Sequence, residues 1–189
     1  MVFWVDEKSQ IQALNRTQPG LPLKKGRVGT MTHDYERPGT TALFAALNVT
    51  SGKIHHECLP PHRRVEFLTF MTGVEATVSK GLSLHIILDN YGTHKMPEVD
   101  CWLRRHPRVN FHFTPTSASW LNLVERFSSE LTTRQLRRLA VTSVQELEDA
   151  IDRYIEHRNM HPTPFTWTAS VRHIRARVKK AKDTLASLH

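Results

Sequence analysis

The sequence predicts an α/β fold: a mixed β-sheet with helices on both faces and a helical C-terminal extension. Three observations carry this. Short apolar runs bounded by turn residues recur between residues 2 and 113, as strands do. Segments with apolar residues at helical spacing lie between and after them. Two early runs are joined by Thr50-Ser51-Gly52-Lys53 into a hairpin, and this leading hairpin does not suit a simple doubly wound sheet.

The elements follow in order. Residues 2–6 read as a short buried strand. The stretch from about Asn15 to Gly39 is polar, rich in Pro and Gly, and basic at Lys24, Lys25 and Arg27. A connection of that length in a compact domain is usually functional or mobile. The hairpin strands cover residues 41–49 and 54–59. A helix is expected over 62–79, where Phe67, Phe70, Met71, Val74 and Val78 share one side. A strand then runs from Leu84 to Asp89. Pro97 suits the first turn of a helix with Val99, Trp102 and Leu103 inward, and Pro107 lies beyond its end. Residues 109–113 form a further strand. A helix from Ser119 places Trp120, Val124, Phe127 and Leu131 on one face. The next starts at Ser143, where Glu146 three positions on matches a capping box. After the turn-rich link at residues 161–167, Val171, Ile174 and Val178 stripe a last helix whose other faces are basic.

At 189 residues the chain suits one domain with a sizeable core. Lys plus Arg is 26 and Asp plus Glu is 18, a formal charge of +8. That excess favours a polyanionic partner, nucleic acid first and an acidic membrane second. Cys58 and Cys101 lack CxxC spacing, so neither a zinc site nor a disulfide framework is indicated. No apolar run approaches the roughly 20 residues of a membrane span, and no signal peptide is visible. A cytosolic protein follows. Nucleotide-cofactor and P-loop readings find no glycine motif to support them.

Three carboxylates carry the candidate chemistry. Asp6 ends the run Val2-Phe3-Trp4-Val5, and Asp89 ends Leu84-His85-Ile86-Ile87-Leu88. Adjacent parallel strands would bring the two together at one edge of the sheet. Glu125 lies on the helix from Ser119, in a polar stripe with Asn122 and Ser129 that borders the apolar stripe. Two acids at strand ends and one on a following helix can converge on a pair of divalent ions. One bridging Asp with one further acid for each ion is a minimal protein contribution to phosphodiester chemistry. Each acid has a plainer reading too: Asp after a strand also caps turns, and a helical Glu usually faces solvent.

The blocks around these acids also carry a resemblance. Val5-Asp6-Glu7-Lys8-Ser9-Gln10, Leu88-Asp89-Asn90-Tyr91-Gly92-Thr93-His94-Lys95 and Thr114-Pro115-Thr116-Ser117-Ala118-Ser119-Trp120-Leu121-Asn122-Leu123-Val124-Glu125 look like three catalytic blocks of bacterial insertion-sequence transposases. The family is the six-thirty group, related to the mariner transposases within the DDE superfamily. Thirty-five residues separate Asp89 from Glu125, which fits the family's spacing. The similarity continues through His157-Arg158-Asn159 and Pro164-Phe165-Thr166-Trp167-Thr168.

The resemblance implies a ribonuclease-H-like fold and metal-dependent cleavage at transposon ends. Attack of the freed 3′-hydroxyl on target DNA would follow. It implies two Mg²⁺ ions, replaceable by Mn²⁺, held by Asp6, Asp89 and Glu125. Asn90, His94 and Asn122 fall in the same blocks as supporting or DNA-contact candidates. Turn bonding, a surface role and helix capping are their respective alternatives. Double-stranded DNA is the implied partner, with a homodimer acting on it in a bacterial, nucleoid-associated setting. Lys24, Lys25 and Arg27, the Arg134, Arg137 and Arg138 group and the C-terminal basic helix are candidates for phosphate contact. A solvated charged face is the alternative for that last helix. Residues 1–160 are expected to form the catalytic unit and 161–189 the link and basic helix. The family's helix-turn-helix region, which precedes the catalytic domain, is expected to be absent because Met1 stands five residues before Asp6.

Overall fold

The computed structural model describes residues 1–16, 34–59, 64–89, 97–115, 122–164 and 170–186. Five strands form one mixed sheet. They are β1 (Val2–Arg16), β2 (Tyr35–Asn48), β3 (Ile54–Leu59), β4 (Leu84–Leu88) and β5 (Val109–Phe113), in spatial order β3-β2-β1-β4-β5. The first three strands are antiparallel; β4 and β5 add parallel to β1. The helices are α1 (Arg64–Ala76), α2 (Pro97–Arg105), α3 (Leu123–Arg134), α4 (Val144–Met160) and α5 (Val171–Ala186).

Side-chain alternation along the strands builds two cores, one per face. Phe3 and Val5 of β1, with Leu84, Ile86 and Leu88 of β4, pack with Phe70, Met71 and Val74 of α1 and Trp102 of α2. Trp4 of β1 and Leu43, Ala45 and Leu47 of β2 pack with Phe127 and Leu131 of α3 and Leu147 and Ile151 of α4. The expected mixed sheet with helices on both faces is therefore present.

The longest departure from expectation is β1. It runs to Arg16, well beyond the short strand expected at 2–6. Between Lys8 and Ile11, β1 spends one more residue than β2 does between Leu43 and Thr41, and Gln10 takes φ 53°. This bulge resets the alternation. Asp6 and, after the extra residue, Ile11 and Ala13 therefore lie on the same α3/α4 side of the sheet as Trp4. The polar run Asp6-Glu7-Lys8-Ser9-Gln10 masks this continuation, because its period is broken and its residues are poor strand formers.

The β2–β3 hairpin is pinned by the end of α4. Asn159 both donates to and accepts from the backbone of Ile54, at 2.7 and 2.9 Å, and so covers the edge of β3. Arg158 donates to the Gly52 carbonyl at 2.9 Å. Gly52 holds φ +73°, and a Cβ there would sit 2.4 Å from the Thr163 carbonyl oxygen. Gly52→Ala is thus expected to destabilise the fold by about 1–3 kcal/mol, because both the left-handed backbone and the clash oppose a side chain. Chemical denaturation of the variant checks this, and an unchanged midpoint would show the hairpin is not fixed as described.

On the opposite face Glu75, at the end of α1, pairs with His106 and with Arg108 (2.6 Å), tying α1 to the start of β5. Ser143 caps α4 as expected, accepting from the Glu146 N–H at 3.1 Å, while the Glu146 carboxylate reaches back to the Thr142 N–H at 2.7 Å. Cys58 and Cys101 are free thiols, and burial pushes Cys58 up to about 12, which leaves it unreactive at neutral pH. The apolar stripe of α5 is only partly covered, with Val171 66% exposed. No helix among the described residues is long and apolar enough to cross a membrane.

Candidate active site

Strand pairing places the first two acids. Trp4 lies opposite Ile87 in the parallel β1–β4 pair. The same register carried two residues further sets Asp6 level with Asp89. Both belong to one face. Val5 turns toward α1, so Asp6 turns toward α3; Leu88 turns toward α1, so alternation sends Asp89 to the α3 side. Asp6 does not end its strand, as the sequence suggested, since it pairs with Ala45 in mid-strand. It sits instead where the neighbouring β4 stops. The sheet edge that matters is the carboxyl end of β4 and β5, past which β1 and β2 continue as a ribbon.

The third acid arrives on α3, which begins at Leu123 rather than Ser119; residues 116–121 lie outside the described ones. Asn122 is its N-cap, with the side-chain oxygen accepting the Val124 N–H at 3.0 Å. The amide nitrogen of the same side chain donates to Asp6 Oδ2 at 2.8 Å. Asn122 is only 3% exposed, and both ends of its amide are used. Glu125 stands exposed in the first turn of α3, where the helix dipole favours an acid.

Asp6 feels the charges of both other acids. Burial pushes the Asp6 carboxyl up to about 7, and the negative charges of Asp89 and Glu125 add to the rise. The Glu7 backbone N–H, donating to Asp6 Oδ1 at 2.9 Å, opposes it. A half-buried carboxylate facing two others calls for positive charge. Among the described residues, however, no group of three or more His, Cys, Asp and Glu side chains is set to hold a single metal ion.

The other candidates fall elsewhere. Arg134 ends α3, nine residues and about 14 Å of helix from Glu125. It is 71% exposed and pairs with Glu130 at 3.2 Å. Arg137 and Arg138 are exposed in the short 3₁₀ turn Leu136–Arg138 beyond it. The group therefore does not join the acids. Asn90, His94, Lys24, Lys25 and Arg27 lie outside the described residues. A cleft of about 610 Å³ between α3 and α4 is lined by Arg126, Glu130, Tyr154 and Arg158 among others, but by none of the three acids.

The family described as DDE superfamily endonuclease matches residues 1–148. A protein of Shigella sonnei, the insertion element IS630 uncharacterized 39 kDa protein, is 26% identical over 116 residues, covering 60% of this chain and 33% of that protein. The Mos1 mariner paired-end complex with Mn is similar at TM-score 0.59 and 15% identity, over 82% of this chain and 48% of the Mos1 chain. The catalytic core domain of BIV integrase is similar at TM-score 0.53 and 11% identity, over 95% of this chain and 97% of that core. These likenesses establish the ribonuclease-H-like fold. The chain spans about a third of the insertion-element protein and about half of Mos1.

Proposed function

The chain belongs to the DDE superfamily endonuclease family, and from that premise we propose that it is the catalytic domain of a transposase, which cuts DNA at the ends of a mobile element and joins them to a target. One observation carries the reading. Asp6 and Asp89 stand level on adjacent parallel strands and on one face of the sheet. Glu125 lies in the first turn of a helix whose N-cap is bonded to Asp6. We assign residues 1–160 to this unit and 161–189 to a basic appendage.

The residues fit a pair of Mg²⁺ ions, with Mn²⁺ as a substitute. All three donors are hard carboxylates, and a cation relieves the burial of Asp6 and the repulsion it feels from the other two. Asp6, Asp89 and Glu125 would together hold the ions. When bound, such ions activate the attacking oxygen and stabilise the leaving one. The protein's own part is placement. The register of the parallel β1–β4 pair, carried past Trp4 and Ile87, supports Asp6 acting with Asp89, and the first turn of α3 presents Glu125 toward solvent, where a DNA strand can approach. The +8 charge draws the polyanion in, with Lys24, Lys25 and Arg27, the Arg134 group and α5 as sources of salt-dependent, sequence-tolerant contacts. Two copies acting together on paired DNA ends complete the reading, and DNA in the bacterial nucleoid is its setting.

Incubation with a supercoiled plasmid and a short duplex bearing a free 3′-hydroxyl tests the proposal. Joined products that need Mg²⁺ or Mn²⁺ and vanish with chelator are expected. Nicks without joined products would make it a nuclease that only hydrolyses, and no cleavage in either metal would refute it.

A further inference from the structure

Asn122 makes two bonds that run in opposite directions. Its oxygen holds the start of α3 through the Val124 N–H (3.0 Å), and its nitrogen holds Asp6 Oδ2 (2.8 Å), 116 residues away in sequence. It is buried, 3% exposed, in a chain whose other buried polar side chains among the described residues are Thr41 and Thr114. An N-cap needs only the acceptor, which Ser or Asp supplies about as well. The donor to Asp6 is therefore an addition that capping does not explain. With Glu7 N–H on the other oxygen at 2.9 Å, it fixes the plane of the Asp6 carboxyl group.

From this geometry we infer that Asn122 is the positioning residue of the acidic site: a single side chain that locks the Asp6 carboxylate to the helix turn carrying Glu125. The inference rests on the metal-dependent reading above. Asn122 lies three residues before Glu125, so the bond to Asp6 sets the height and azimuth of that turn relative to β1. One bond thus couples two acids that come from opposite ends of the domain. A neutral amide suits the task. It donates to a carboxylate without adding a fourth negative charge to a site that already repels its own. Groups that orient metal-binding side chains typically contribute 10–100-fold to metal affinity.

Two substitutions separate the cap from the lock. Asn122→Ser keeps a neutral acceptor for the Val124 N–H but is too short to hold Asp6; Asn122→Ala loses both. Mn²⁺ binding to the full chain, followed by titration calorimetry or by the electron-spin signal of free Mn²⁺, supplies the readout without reference to activity. Thermal melting in chelator reports the cap. The expected result is at least about tenfold weaker Mn²⁺ binding in both variants, with the larger fall in melting midpoint in Asn122→Ala. Parent-level Mn²⁺ binding by Asn122→Ser would show that only the cap matters and overturn the inference. A parent chain that binds no Mn²⁺ would overturn the metal-dependent reading and this inference with it.

Discussion

Asp89→Asn is expected to abolish metal-dependent nicking of DNA, a fall on the order of a thousandfold, while leaving the fold stable to within about 0.5 kcal/mol. Asn has nearly the shape of Asp and keeps an oxygen at the same place, so β4 and its pairing with β1 and β5 are undisturbed. What changes is one negative charge at the end of β4, level with Asp6. Charge stabilisation by a bound ion is worth several kcal/mol, and each 1.4 kcal/mol is about tenfold in rate. The assay is conversion of supercoiled plasmid to open circle in Mg²⁺ and in Mn²⁺, beside denaturation of the same preparations. Equal nicking by variant and parent would remove Asp89 from the site.

Asp6 gives the second large effect, and it is one of stability. Its folded carboxyl is pushed from 3.8 up to about 7 by burial and by the neighbouring acids. A group whose folded value lies above its unfolded one stabilises the fold fully below the unfolded value and loses that contribution as pH rises through the folded one. The cost at pH 8 is on the order of 4 kcal/mol at about 1.4 kcal/mol per pH unit of displacement. Asp6→Asn removes the charge but turns one amide hydrogen-bonding face toward a donor, which gives back about 1–2 kcal/mol. In chelator the variant should therefore melt above the parent at pH 8, and the gap should narrow between pH 7 and pH 4. Mn²⁺ should raise the parent and leave the variant unmoved. Melting curves across that range decide it; a gap independent of pH would mean Asp6 is not held at raised proton affinity.

Much of this was legible in the sequence because it rests on local periodicity. The strand at 84–88, the helix after Pro97 and the Ser143 cap all follow from spacing and turn chemistry. The acids at Asp6 and Asp89 could be paired in advance because both follow apolar runs that parallel pairing would align. Three things were not legible. The bulge at Gln10 hides the continuation of β1, since one inserted residue turns an alternating pattern into an apparently patternless one. The stripe on α5 reports that the helix is amphipathic but not what covers it, and Val171 remains exposed. The bond from Asn122 to Asp6 has no signature at all, because nothing in spacing ties residues 116 apart. Glu125 falls between these cases. Its stripe placed it at the margin of the core, and it stands exposed in the first turn of α3, with its charge felt at Asp6.

The central claim is that Asp6, Asp89 and Glu125 bind divalent metal together. Crystals of the protein soaked in Mn²⁺ and measured at the manganese edge test it directly. Anomalous peaks within bonding distance of the Asp6 carboxylate, each shared with Asp89 or Glu125, are the predicted result. Manganese bound elsewhere, or density at Asp6 with Asp89 and Glu125 both turned away from it, would contradict the account.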